Sequence, residues 1–140
     1  MVLVTTTLWG VSRVALRAQA AASVWDGVYS EDQAGRGESV YRQYCASCHG
    51  DHLQGKRPQT PALTGSAFKG NWNGETVDDL FEKIQTAMPA DKPGTLSRQQ
   101  NADALAFILK SNEFPAGQTE LPADAAKLKQ IRFEAERPAK

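Results

Sequence analysis

Cys45-Ala46-Ser47-Cys48-His49 decides how this chain is read, because nothing else in its 140 residues offers a way to staple a small domain together. That length leaves room for one domain, and a hydrophobic fraction of 41% gives only a modest core. Such domains often need a disulfide, a metal or a large cofactor. The only two cysteines are Cys45 and Cys48, too close together to close a useful loop, so any staple must run through them. C-x-x-C-H is the pattern of covalent haem attachment. Two thiols three positions apart at the end of a helix can each add to one vinyl group on a haem edge. The adjoining imidazole, His49, then lies below the iron as proximal ligand. One motif implies one haem c, bound through Cys45 and Cys48. Two other readings compete for the same residues. A thioredoxin-like redox pair requires a βαβ setting, which the pattern lacks. A zinc site requires two further ligands, and only His52 remains among the usual ones.

Outward from the motif, the chain shows three helical signals and no convincing strand periodicity. The first begins at Ser30, with Gln33 placed for a capping box, and runs through Val40 and Tyr41 to about Ala46. The second opens at Thr76 with Asp78 and Asp79 in its first turn. Its apolar residues Val77, Leu80, Phe81 and Ile84 follow the i, i+3, i+4, i+7 spacing. The third starts at Ser97 with Gln100 as a second capping box, and its stripe is Ala102, Leu105, Ala106 and Leu109, with Phe107 and Ile108 beside it. Between the first two lies a run from Gly50 to Glu75, rich in Gly, Pro, Asn and Thr, expected to be a loop. So long a loop is tolerable if it wraps a large flat cofactor. Residues 23–116 are therefore expected to form the domain. Residues 117–140 read as a polar tail, with a short charged surface helix over 124–136 carrying Leu128 and Ile131 on one side.

A second iron ligand must come from elsewhere. Apart from Met1, the chain has one methionine, Met88, followed by Pro89. A lone Met is usually core filler. Met88, however, lies just past the second helix in a stretch closed by Pro89, Pro93 and Gly94, a rigid loop suited to presenting a thioether. The forty residues from Cys48 to Met88 are enough to circle a haem. His52 is the rival, but it follows His49 by three positions and would struggle to reach the opposite face.

Residues 1–22 read as a signal peptide. Val2 to Val11 is apolar and Thr-rich, and Ala18-Gln19-Ala20 with Ala21-Ala22-Ser23 offers small-residue cleavage sites. No basic residue precedes the apolar run, and Arg13 and Arg17 interrupt its end, so a start upstream of Met1 is one explanation. A frayed extension is the competing reading. An uncleaved anchor is disfavoured because the uncharged run is too short to span a bilayer. The whole chain carries 16 basic and 16 acidic side chains; losing Arg13 and Arg17 leaves 14 against 16, a mildly acidic product. Nothing in that balance suggests nucleic-acid binding.

With these motifs in view, residues 28 to 114 resemble a class I c-type cytochrome. The resemblance implies an all-α fold, three main helices and long loops around one haem. It implies a close crossing of the first and last helices at Gly37, with Tyr41 and Phe107 as the aromatics there and Ala104 where a larger aliphatic is usual. It further implies that the Pro61 carbonyl accepts a hydrogen bond from the His49 ring, that Leu63 packs on the haem, and that Trp72 is a loop aromatic that lines the pocket or bonds a haem propionate. The pattern Trp72, Thr76, Leu80-Phe81, Met88-Pro89, Pro93-Gly94, Leu96-Ser97 is similar to that of bacterial cytochromes associated with quinoprotein dehydrogenases of alcohols or sugars.

The expected function is electron carriage in the periplasm, one electron at a time, rather than catalysis. Iron held by His49 and Met88 has a raised potential and no open position. Redox proteins are the expected partners, a dehydrogenase as donor and an oxidase or similar acceptor, with Lys56, Arg57, Lys69 and Lys92 as candidate docking cations. Three alternatives stand beside this: a cytochrome subunit of a quinoprotein dehydrogenase complex, a haem enzyme or gas sensor with a displaceable distal ligand, and a thiol oxidoreductase.

Overall fold

The computed structural model describes residues 22–56 and 58–139. Apart from Ala22, the expected signal segment lies outside the described residues, as does Arg57.

The three expected helices form where their caps place them: α1 over Glu31–Tyr44, α4 over Val77–Ala87 and α5 over Arg98–Ser111. Between them lie α2, a single turn over Ala46–His49 that carries the cysteine motif, and α3 over Gly65–Trp72. A last short helix, α6, spans Ala125–Leu128, and two strands, β1 (Ala22–Ser23) and β2 (Ile131–Arg132), pair in parallel. Of the three expected helices, two open on reciprocal capping boxes: Thr76 with Asp79 and Ser97 with Gln100. At α1 only half of the expected box forms. Ser30 Oγ accepts from the Gln33 amide at 3.2 Å, but the Gln33 side chain is used elsewhere.

Helices α1 and α5 form the principal interface. Its closest point is Gly37, where any Cβ would overlap the backbone carbonyl of Asp103. Only glycine permits that approach. One turn on, the Tyr41 and Phe107 rings meet with centroids 5.3 Å apart. Ala104 is 2% exposed, so the small residue at the crossing is accommodated by close helix approach. Helix α5 is covered nearly all round, with Asn101 to Ala106, Ile108 and Leu109 buried. A helix buried on every side is the central element of its fold.

Two expectations need correction. The run from Gly50 to Glu75 is not wholly loop, because α3 occupies Gly65–Trp72. That helix has no apolar stripe to read. Phe68 is its one buried residue, so packing rather than periodicity holds it. The segment after Gly117 is not simply a surface tail either. Leu121, Leu128, Ile131 and Phe133 are buried, and the helix there stops at Leu128 before the chain turns into β2. Two-residue strands are too short for alternation to reveal.

This C-terminal segment is fastened at several points. Gln33, fully buried, donates from Nε2 to the Leu121 carbonyl at 3.0 Å and accepts from the Leu121 amide at 2.6 Å. Phe133 stacks edge-on to Phe114 and to Phe68, at 5.3 and 6.1 Å, and Trp25 meets Phe114 at 4.8 Å. The Phe133 amide donates to Glu75 at 2.9 Å and its carbonyl accepts from Gly74 at 2.8 Å, which ties the segment to the α3–α4 turn. Arg98 lies over the Phe81 ring at 4.5 Å and donates to the Ala123 carbonyl at 2.7 Å. No described helix is long and apolar enough to cross a membrane.

Gly37→Ala should separate α1 from α5 and cost about 3 kcal/mol or more, near the upper end for overpacking, read from the denaturant midpoint. Gln33→Ala should cost about 2 kcal/mol by leaving both Leu121 backbone groups without partners. Hydrogen exchange should report that loss as faster exchange at the Leu121 amide.

Candidate functional site

His49 ends α2 and is 7% exposed. Its position follows from the helix break at Cys45, the residue that closes α1 and opens the motif turn. The Cys45 and Gly50 amides donate back to Tyr41 and Ala46, both at 2.8 Å, so the turn continues from α1 without slack. The Tyr41 hydroxyl closes the far side by donating to the Gly50 carbonyl at 2.6 Å. Burial, with a smaller contribution from Cys45, pushes that phenol up to about 12, and it stays a donor.

The Nδ1 atom of His49 lies 3.0 Å from the Pro61 carbonyl oxygen. A carbonyl only accepts, so Nδ1 carries the hydrogen and Nε2 is left with its lone pair. The segment holding Pro61 is itself anchored. Gly55 donates to the His49 carbonyl at 2.7 Å, and Leu63 donates to the Leu53 carbonyl at 2.8 Å. Asn112, buried at the end of α5, donates to the Leu63 carbonyl at 2.8 Å and accepts from the Gly65 amide at 3.1 Å. Asn112 was not foreseen from sequence. Its only signal is an amide side chain in the capping position of a helix, a common occurrence.

Cys45 is half-buried and Cys48 exposed. Burial, then the neighbouring Cys48, pushes the Cys45 thiol up to about 11. Thiol-exchange pairs depend on the opposite shift, so this environment argues against a thioredoxin-like pair. Among the described residues no group of three or more His, Cys, Asp or Glu side chains comes together, which leaves a zinc site short of ligands. His52 is exposed, its backbone amide bonded to Gln54 Oε1 at 2.9 Å.

Met88 caps α4, half-buried, with its amide donating to the Ile84 carbonyl at 3.0 Å. The peptide bond to Pro89 is cis. The loop that follows is closed by backbone bonds from Gly94 to Met88 (3.3 Å) and from Lys92 to Pro89 (2.9 Å). Two side-chain amides, Asn101 buried and Gln85 half-buried, reach this loop: Asn101 donates to Gln85 Oε1 at 2.9 Å, and Gln85 donates to the Leu96 carbonyl at 3.4 Å. Leu63 and Trp72 pack against the core but stay partly open, together with Cys45, Ile84 and Phe107. Trp72 is the last residue of α3 rather than a loop residue. Of the candidate docking cations, Lys56 is bonded to the Ser47 carbonyl, Lys69 is half-buried and Lys92 is exposed.

These groups suit a haem. The motif supplies two unpaired thiols and an imidazole whose free nitrogen is fixed by its partner on the other. Met88 supplies a soft sulfur donor, and the half-covered apolar side chains supply surface for a flat ring. Residues 32–108, more than half of the chain, match the family model described as "Cytochrome C oxidase, cbb3-type, subunit III". No curated protein matches the chain. Among solved structures, the sulfane dehydrogenase SoxCD from Paracoccus pantotrophus is similar over 89% of this chain and 68% of that one, at 22% identity and a TM-score of 0.49, too remote to bear on function. The chain belongs to the family whose model it matches, and it is a class I c-type cytochrome, a mostly helical domain that uses haem for electron transfer.

Proposed function

We propose that this chain is a periplasmic one-electron carrier with a single haem c, attached through Cys45 and Cys48 and ligated by His49 and Met88. The observation that carries the reading is the 3.0 Å contact between His49 Nδ1 and the Pro61 carbonyl, which aims the other ring nitrogen of a buried C-x-x-C-H histidine. Haem, when bound, supplies an iron that changes oxidation state by one electron.

The rest is done by the chain. Cys45 and Cys48 keep the group from leaving. Pro61 fixes the His49 tautomer and raises its donor strength. Met88 favours the reduced metal because a thioether is a soft ligand. With His49 and Met88 both holding the iron, no position would be left for a substrate, which is why carriage rather than catalysis is the reading. Export is supported by the apolar run and small-residue cleavage sites before Ser23. A redox protein on either side of the transfer is the matching partner class, a dehydrogenase as donor and an oxidase as acceptor.

Produced with its export segment in cells that mature c-type cytochromes, the protein should gain the mass of one haem. Its oxidised spectrum should show the Met–Fe(III) charge-transfer band. Rapid carbon monoxide binding by the reduced wild-type protein would sink the carrier reading in favour of an open distal site. Met88→Ala should abolish the band. Met88→His should lower the potential by a sizeable part of the roughly 0.8 V range that axial ligands span, measured by redox titration. An unchanged band and potential in both variants would show that Met88 is not the ligand.

A further inference from the structure

We propose that Asn101 and Gln85 form a positioning relay that holds the Met88 loop from the central helix and so governs how readily the thioether leaves the iron; the inference rests on ligation by His49 and Met88.

The relay follows from donors and acceptors. The Leu96 carbonyl can only accept, so the Gln85 side chain must turn its NH2 towards it. Gln85 Oε1 therefore faces α5, where it can only accept, and Asn101 must present its own NH2 there, at 2.9 Å. One backbone carbonyl thus fixes two amide orientations. Asn101 is fully buried, and its Oδ1 has no hydrogen-bond partner among the described residues. A buried amide left half-satisfied is a poor way to gain stability, since each unpaired polar atom is costly. Its position suits directional control.

The far end of the relay is the neck of the Met88 loop. Gln85 stands three residues before Met88 in α4, and Leu96 is the last buried residue before the Ser97 cap. At the same neck, the Gly94 amide bonds the Met88 carbonyl at 3.3 Å, and a side chain at Gly94 would touch the Gln85 carbonyl at 3.7 Å. Lys92 closes the tip of the loop at 2.9 Å, whereas the neck is held by the longer Gly94 bond, so the side-chain bridge from Gln85 to Leu96 is a substantial part of what restrains the neck. Swinging Met88 outward requires the neck to open, and the relay opposes that opening.

The test uses the haem-loaded protein and imidazole as a competing ligand for oxidised iron, followed through loss of the Met–Fe(III) charge-transfer band. Gln85→Ala should tighten apparent imidazole binding about fivefold, the size expected from losing one net hydrogen bond. Asn101→Asp, which keeps the shape but loses the donor towards Gln85, should act in the same direction. In the double variant the Asn101 change should add little, because the relay is already broken. Gln99→Ala, on the same helix but bonded to Asp103 at 2.8 Å, should leave imidazole binding unchanged. Unchanged binding in Gln85→Ala, or an equal effect in Gln99→Ala, overturns the relay while leaving the ligand assignment intact. A wild-type protein without the band overturns the ligand assignment and the relay with it.

Discussion

At Gly37 the backbone of α1 lies directly against the carbonyl of Asp103 in α5, and the spacing of the site depends on that contact. The cysteine motif hangs from the end of α1, so its place relative to α5 is set by how closely the two helices approach. Tyr41 carries the constraint onward. Its ring packs on Phe107 of α5 while its hydroxyl holds the Gly50 carbonyl just after His49. One residue therefore couples the helix crossing to the turn that bears the imidazole. A side chain at position 37 would move the whole His49 turn with α1, which makes a packing constraint into a functional one.

From α5, two asparagines reach in opposite directions along the chain. Asn112, at the helix end, holds the Leu63–Gly65 backbone and through it the segment whose Pro61 carbonyl faces His49. Asn101, near the helix start, reaches the loop after Met88 by way of Gln85. The most buried helix of the fold is thus the common support for both candidate ligand segments. That division fits the physics of small domains, where irregular segments need polar anchors because they have no periodic face to pack.

The helices and the motif were legible because each has a local signature. Thr76 with Asp79 and Ser97 with Gln100 announce their helix starts, and hydrogen bonds from Thr76 hold the Asp79 carboxyl below its usual range. Gly37 and Pro61 were legible through resemblance, and the backbone contact at one and the ring contact at the other now supply physical reasons. What escaped has no local signature. Helix α3 buries only Phe68, and the C-terminal segment spreads its buried residues, Leu121, Leu128, Ile131 and Phe133, among charged neighbours. Gln33 illustrates the limit most clearly. Its spacing from Ser30 predicts a capping role, yet the partner it takes is Leu121, a contact 88 positions away that no window of sequence contains.

Amides rather than larger apolar groups occupy these anchoring positions for a reason that follows from geometry. An apolar contact is non-directional and would restrain a loop only to within a sliding distance. A hydrogen bond weakens steeply with distance and angle, so it selects one placement of the carbonyl it holds. The Asn101 amide meets its cost of burial only in part, since its oxygen has no partner among the described residues. A core designed for stability alone would replace it together with Gln85, because exchanging both partners of a buried hydrogen bond for apolar groups of similar shape is often neutral or better. The arrangement is intelligible if what matters at the Met88 loop is where it stands rather than how stable the domain is. For a metal site whose ligands must stay in place while the charge on the iron changes, a fixed position limits the rearrangement that accompanies each electron.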